Sequence, residues 1–290
     1  WSGSDVLWTD QSTTVAGDYN SDGLTDINYI YNDDGKITMA VSLSTGESFQ
    51  ASQMWNEQQG DWADGKFPPG DYNGDGIIDI ANVYNNSGYI AIDMSISDRK
   101  TFSNSAWYRA ESELWVNDAI IQPGDFNGDR KLDLAYAFND DGLLSYHIYL
   151  SKGDKFIFAK DLSKSTSDLW TSDGIVRATD FNADGMTDLA YAFNKSGTIG
   201  VNLTVSTGSQ LLEYQWENDR LTWADKKWVE YVENSRTKTF ILKDNSNLVG
   251  YYETILDLDH NYSEIAYFGI LEEYFGKKCG AYLLSEAINT

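Results

Sequence analysis

The sequence predicts a multidomain chain: four all-β, propeller-type blades over residues 1–206, then a shorter, partial α/β domain over 207–290. Three observations lead there. A nine-residue acidic loop recurs four times, its starts 53, 54 and 55 residues apart. Between the loops lie short alternating apolar runs joined by Asn- and Gly-bearing turns, with no helical periodicity. Past residue 206 the composition changes. The first part holds 27 Asp, 4 Glu and 19 Gly, the second 5 Asp, 9 Glu and 5 Gly. Asp and Gly suit turns, whereas Glu suits helices. A domain boundary therefore falls near residues 207–212.

The repeat justifies the blades. Its four copies are Asp18-Tyr-Asn-Ser-Asp-Gly-Leu-Thr-Asp26, Asp71-Tyr-Asn-Gly-Asp-Gly-Ile-Ile-Asp79, Asp125-Phe-Asn-Gly-Asp-Arg-Lys-Leu-Asp133 and Asp180-Phe-Asn-Ala-Asp-Gly-Met-Thr-Asp188. The register runs on beyond the loop. An Asn follows each first Asp by 14 residues (Asn32, Asn85, Asn139, Asn194) and a Gly by 17 (Gly35, Gly88, Gly142, Gly197). A Trp precedes it by 9 or 10 (Trp8, Trp62, Trp115, Trp170). Each unit then reads as a strand, a turn and a second alternating strand, as in Ile37–Leu43. A period near 54 residues with a few strands per unit fits a propeller blade.

The charge narrows the function. The chain of 290 residues carries 21 Lys+Arg against 45 Asp+Glu, a formal net charge of −24. Nucleic acid needs basic contacts to phosphate, so it is excluded as a partner. Anionic lipid is disfavoured for the same reason. Apolar residues make up 41%, enough to bury a core, yet no run of 18 of them exists that could span a membrane. A single cysteine rules out an internal disulfide. No signal peptide is visible and residue 1 is Trp, which marks a processed chain or a fragment.

The loops have a chemical reading. Asp, Asn and Asp at positions one, three and five, with Asp at nine, set hard oxygens on one side of a tight turn, and a carbonyl at position seven completes a Ca²⁺ shell. The ligand sets are Asp18, Asn20, Asp22, Leu24 and Asp26; Asp71, Asn73, Asp75, Ile77 and Asp79; Asp125, Asn127, Asp129, Lys131 and Asp133; and Asp180, Asn182, Asp184, Met186 and Asp188. Turns of this composition without metal are the competing reading, and they leave clustered carboxylates repelling one another. An EF-hand does not fit. Its twelfth position needs Glu, and here it is Tyr29, Asn82, Tyr136 and Tyr191. The third loop has Arg130 where the others have Gly, a strain if that position needs positive φ.

These loops at this period resemble the FG-GAP/VCBS repeats of integrin-like β-propellers. The resemblance implies blades with structural Ca²⁺, an extracellular or cell-surface location, and adhesion or carbohydrate binding through a glycan or protein ligand. Family rings often have about seven blades, so further blades upstream are expected. The repeated Trp residues have two readings: a sugar-stacking shelf, as in propeller lectins, or blade-to-blade packing.

The second part is built differently. Thr222 can cap a helix that carries Trp228, Tyr231 and Val232 on one face. Thr237–Lys243 and Leu248–Asp257 form a hairpin, and a strand from Glu264 to Leu271 leads through Gly276 and Gly280 into a helix near Gly280–Asn289. A strand, a glycine-bearing turn and a helix N-terminus favour an anion, with Lys277 and Lys278 adding positive charge.

The stretch EIAYFGILEEYFGKKCGAYLLSEAI resembles the central strand, acetyl-CoA loop and following helix of the GNAT N-acetyltransferases, over about residues 211–290. In the loop Phe275 stands for the family's Arg or Gln and Lys278 for its first Gly, while Gly280 is retained. The resemblance implies that Ala266, Tyr267, Phe268 and Gly269 hold the pantetheine. Gly276, Lys277, Lys278, Cys279, Gly280 and Ala281 hold the pyrophosphate, and Glu264 or Glu253 deprotonates an unidentified amine acceptor. Glu264 read alone can equally be a solvated strand residue. Cys279 reads as a small filler rather than a nucleophile, and His147 and His260 fall in different parts and form no triad. The family continues beyond the point where this sequence stops, so little or no acetyltransferase activity is expected of these 290 residues. The two resemblances conflict in compartment, since acetyl-CoA is cytoplasmic. A natural fusion, a fragment and an artificial join each account for that.

Overall fold

A computed structural model describes residues 9–288, except 59, 64, 216–236, 246, 258–261, 272–273 and 275–276. The chain divides after residue 216 into two compact units.

The first unit contains four antiparallel sheets, each a meander in chain order. The first is β1 (Ser12–Gly17), β2 (Asp26–Asp33), β3 (Lys36–Ser42) and β4 (Gln53–Asn56). The second is β5 (Pro69–Gly70), β6 (Asp79–Asn86), β7 (Tyr89–Ser97) and the long β8 (Phe102–Leu114). The third is β9 (Ile120–Gly124), β10 (Asp133–Asp140), β11 (Leu143–Ser151) and β12 (Phe156–Phe158), with β13 (Lys164–Leu169) also pairing β11. The fourth is β14 (Ile175–Thr179), β15 (Asp188–Lys195), β16 (Thr198–Ser206) and β17 (Leu211–Gln215). This is a propeller-like succession of blades. The compositional change at 207–212 comes slightly before the end of the unit, because β17 pairs with β16 as the fourth strand of its sheet.

Local chemistry sets each hairpin. Both central residues of the turn between the second and third strands of a blade have positive φ: Asp34 and Gly35, Ser87 and Gly88, Asp141 and Gly142, Ser196 and Gly197. That geometry matches the right-handed twist of the flanking strands. The Asn read from the sequence holds each turn: the Gly amide donates to Oδ1 of Asn32, Asn85, Asn139 or Asn194 at 2.7 Å.

Apolar residues alternate along the strands and meet between blades. Met39 and Val41 join Ile80 and Phe102 of the next blade in one cluster. Ile90, Ile92 and Met94 join Leu134 and Tyr136 in the second, and Leu144, Tyr146 and Ile148 join Leu189 and Tyr191 in the third. Each fully buried side chain of this size contributes roughly 1.5–3 kcal/mol, so the joints between blades are a major part of the core.

The second unit has β18 (Thr237–Asp244), β19 (Asn247–Asp257) and β20 (Tyr262–Ile270) in one antiparallel sheet, and helix α1 (Cys279–Ile288). Leu283 and Ala287 of α1 pack with Tyr252 of β19. The α/β character expected here amounts, among the described residues, to one helix on one sheet, and the chain is nearly all β. The helix expected after Thr222 lies outside the described residues.

Candidate metal centre

The four acidic loops join the first and second strands of their blades and share one hydrogen-bond pattern. The amide at position six donates to Oδ2 of the first Asp: Gly23 to Asp18 at 2.9 Å, Gly76 to Asp71 at 2.8 Å, Arg130 to Asp125 at 2.7 Å and Gly185 to Asp180 at 2.9 Å. The amide at position five donates to the Asn at position three, as Asp75 does to Asn73 Oδ1 at 2.8 Å. The amide at position seven donates to the Asp at position five, from Leu24, Ile77, Lys131 and Met186 to Asp22, Asp75, Asp129 and Asp184. Asn20, Asn73, Asn127 and Asn182 each also donate Nδ2 to that same carboxylate. The three side chains at positions one, three and five are thus gathered in each loop, and their oxygens keep further lone pairs.

This path needs left-handed backbone twice. Position six has φ of 86° at Gly23, 81° at Gly76 and 88° at Gly185, and Arg130 is held at 69°. Position four is also left-handed, with Ser21 at 60° and Ala183 at 63° where the middle loops have Gly74 and Gly128. The strain read at Arg130 is therefore present, and a second position of the same kind went unread.

The Asp at position nine behaves differently from the others. Asp26, Asp79, Asp133 and Asp188 are all fully buried. One oxygen accepts the position-two amide, from Tyr19, Tyr72, Phe126 or Phe181, at 3.0–3.3 Å. The other accepts the amide of a serine 18 residues later, Ser44, Ser97, Ser151 or Ser206, at 2.8–3.0 Å. Burial pushes the Asp79 carboxyl up to about 7 and Asp133 to about 8, against the pull of those amides, and the Asp residues at positions five and one add like-charge repulsion. Asp26 and Asp188 are raised for the same reasons. Among the described residues no three His, Cys, Asp or Glu side chains form a ready-made metal cluster. The loop set is instead two carboxylates and an amide oxygen, with the fourth residue anchored to backbone beneath them. Hard, partly anionic oxygens on a tight turn fit a Ca²⁺ ion in donor chemistry.

The serines extend the loop to its neighbour. Ser97 Oγ donates to the Tyr19 carbonyl at 2.8 Å, Ser151 Oγ to Tyr72 at 2.5 Å and Ser206 Oγ to Phe126 at 2.6 Å, each from one blade to the loop of the preceding blade. Sequence reading missed them, although their constant offset of 18 from the last Asp was there to find.

The tyrosines at position twelve in the first, third and fourth repeats are structural. The Tyr136 hydroxyl accepts the Val116 amide at 2.6 Å and donates to the Val116 carbonyl at 3.0 Å. Tyr29 and Tyr191 likewise accept the amides of Thr9 and Thr171. In the third and fourth repeats the recurring Trp, Trp115 or Trp170, sits one residue before this contact. Trp62, Trp115 and Trp170 pack against the inter-blade clusters, and their amides donate to the turn carbonyls of Gly35, Gly88 and Gly142 at 2.9–3.0 Å. These contacts favour the packing reading over a sugar shelf; Trp8 lies outside the described residues.

The family model of the FG-GAP-like repeat matches residues 125–191. The match opens on position one of the third loop and ends at position twelve counted from Asp180, one period together with the whole of the fourth loop. Loops one and two have the same geometry outside it. No curated protein matches the chain. Among solved structures it is similar to an exotype rhamnogalacturonan lyase, YesX, at 10% identity and a TM-score of 0.40, over 87% of this chain and 55% of that one. It is also similar to the Photorhabdus luminescens Tc holotoxin pore, at 10% identity and a TM-score of 0.29, over 86% of this chain and 14% of that one. The chain thus spans about half of the first structure and a small part of the second.

The family match lies wholly in the first unit. In the second, Ala266, Tyr267, Phe268 and Gly269 lie on β20, and Cys279, Gly280 and Ala281 open α1. Gly276 is outside the described residues. Glu253 on β19 is buried, faces Tyr267 in the strand register and accepts a hydrogen bond from Thr239 Oγ1 at 3.2 Å. Glu264 is on β20 opposite Ile255. A β-bulge at Ala266 shifts the register between these two pairs. Lys243, Asp244, Lys277, Lys278, Tyr274 and Tyr282 are among the residues lining a cleft of about 430 Å³ beside the start of α1.

Proposed function

We propose that the first unit is a calcium-braced, β-propeller-type binding module of FG-GAP-like blades. The observation that carries this reading is the common hydrogen-bond frame of the four loops, which gathers the Asp, Asn and Asp side chains identically in each. A Ca²⁺ ion there would neutralise carboxylates that otherwise repel one another and would stiffen the loop on which the next blade rests. Asp18, Asn20 and Asp22 and their equivalents would hold it, with the carbonyls of Leu24, Ile77, Lys131 and Met186 and the buried position-nine Asp. The ligand of the module is a glycan or protein met outside the cell or at its surface.

Calorimetry with Ca²⁺ and with EDTA tests this. Each site at a free ion concentration a hundredfold above its Kd adds about 2.7 kcal/mol, so Ca²⁺ should raise the melting temperature by many degrees. Superimposable transitions in Ca²⁺ and EDTA would refute it. A glycan array that stays silent would leave a protein as the ligand.

A second reading concerns residues 217–290, as a GNAT-like segment that binds acetyl-CoA. The observation favouring it is Lys278, which has φ of 63° where the resembled loop carries glycine and which lines the cleft with Lys243, Asp244 and Lys277. Ala266–Gly269 and residues 276–281 would hold acetyl-CoA, which supplies the acyl group, and Glu253 or Glu264 would take the proton of the acceptor amine. Acetyl-CoA should then raise the melting temperature of this unit, and no shift at millimolar cofactor would refute the reading.

A further inference from the structure

Position seven is apolar in three of the loops, as Leu24, Ile77 and Met186, and charged in the third, as Lys131. The Lys131 stem lies between position four of the second loop and the turn after β11. A Cβ added to Gly74 would stand 3.2 Å from Lys131 Cγ, and one on Gly153 3.7 Å from its Cε. Met186 of the fourth loop is seated in the same way: a Cβ on Gly128 would stand 3.4 Å from its Cγ, and one on Gly208 3.2 Å from its Sδ. The slot suits an apolar side chain, and Lys131 fills it with its aliphatic stem while its charged head stays at the surface.

That head meets the position-five carboxylate of its own loop. Lys131 Nζ is 3.6 Å from Asp129 Oδ2, with the two side chains 29% and 32% exposed. The same oxygen accepts Nδ2 of Asn127 at 3.3 Å, where the equivalent bonds to Asp22, Asp75 and Asp184 measure 2.8–2.9 Å. The ammonium thus shares an oxygen that the asparagine holds more closely in the other loops. Among the described residues, no ion pair engages a position-one or position-five carboxylate of the first, second or fourth loop. A half-exposed pair of this kind adds little to stability. Its consequence lies in what else can use Asp129, because a cation entering the loop needs that carboxylate and meets an ammonium already on it.

We propose that Lys131 is a built-in counter-cation that makes the third loop the weakest of the four Ca²⁺ sites. The inference rests on the reading of the loops as calcium sites and separates one of them from the rest. The first, second and fourth loops leave their carboxylates to the metal. The third supplies part of that charge itself and takes up Ca²⁺ last. A unit charge a few ångströms from a divalent ion weakens its binding on the order of tenfold even at the dielectric of water. Seating of the stem against Gly74 and Gly153 keeps the ammonium beside the loop and limits its escape into solvent.

Titration calorimetry of the whole chain with Ca²⁺ at low ionic strength, with amide exchange followed loop by loop, tests this. In the parent, exchange in the first, second and fourth loops should slow first, and exchange in the third only at a Ca²⁺ concentration on the order of tenfold higher. Lys131→Met places in the slot the side chain that Met186 already has in the fourth loop. It should tighten the weakest site on the order of tenfold and make the third loop slow together with the others. Arg130→Gly, which relieves the backbone and leaves Lys131 in place, should tighten that site less. A Lys131→Met titration that matches the parent overturns the proposal, and so does a parent whose third loop is protected along with the other three. An Arg130→Gly variant that tightens the site as much as Lys131→Met moves the cause to position six and overturns it as well. No Ca²⁺ uptake by either parent or variant would instead refute the calcium reading itself, and this inference with it.

Discussion

Arg130→Gly should stabilise the first unit. Arg130 has φ of 69° in a loop whose other copies place Gly23, Gly76 and Gly185 at 81–88°. A Cβ added at any of those three glycines would meet nothing within 4 Å, so the penalty at Arg130 is one of backbone conformation rather than of crowding. A left-handed L-residue costs about 1–2 kcal/mol. Glycine removes that cost but returns about 0.4–1 kcal/mol through the greater freedom of the unfolded chain. The net gain is about 0.5–1 kcal/mol, which for a unit of this size raises Tm by about 1–4 °C. Differential scanning calorimetry in EDTA measures it without contributions from ions. Arg130→Ala is the control, since it removes the charge and keeps the Cβ, and it should melt close to the parent. If Arg130→Gly melts no higher than Arg130→Ala, the left-handed strain is not what distinguishes this loop.

Three other outcomes follow from the same geometry. Tyr136→Phe deletes both hydrogen bonds to Val116 and leaves a half-buried amide unpaired, which should cost about 1–3 kcal/mol; an unchanged urea midpoint would count against it. Ser151→Ala removes the bond to the Tyr72 carbonyl across a joint and should cost about 1 kcal/mol, with faster amide exchange in the second loop as the local readout. His147 lies edge-on to Phe138 and Phe158, and burial holds its imidazole below the ordinary value, with Glu113 and Asp140 pulling the other way. Its neutral form belongs to the fold, so its contribution is complete above the unfolded imidazole value and is lost as pH falls below it. His147→Gln should therefore lose less stability than the parent between neutral pH and pH about 5, and parallel pH profiles would dismiss this role.

Much of the architecture was legible in the sequence because it is local. The Asn and Gly of each hairpin sit three residues apart and bond to each other, so their spacing announced the turn. The same holds inside the loops, where every bond among positions one to seven spans five residues or fewer. The helix read near Gly280–Asn289 appears one residue earlier, at Cys279–Ile288. The position-nine Asp was harder to read. Its residue type suits a metal, but its partners include a serine 18 residues away, and only the folded sheet shows that both of its oxygens bind backbone amides.

The sequence by itself determined the four repeats, their acidic loops, the hairpin turns and the nearly all-β character of the first unit. These follow from backbone preferences and hydrogen bonds that close within one short segment. Only the tertiary structure decided how one blade meets the next. The serine bonds to the preceding loop join residues 78–80 apart, and the tight packing on Gly17, Gly70 and Gly124 involves side chains from the next repeat. In the sequence Thr179 is a small residue beside an acidic loop. In the fold it occupies the position at which the three joints, at Gly17, Gly70 and Gly124, admit no side chain, because contact across a joint depends on two strands brought together by folding and not on the spelling of either one.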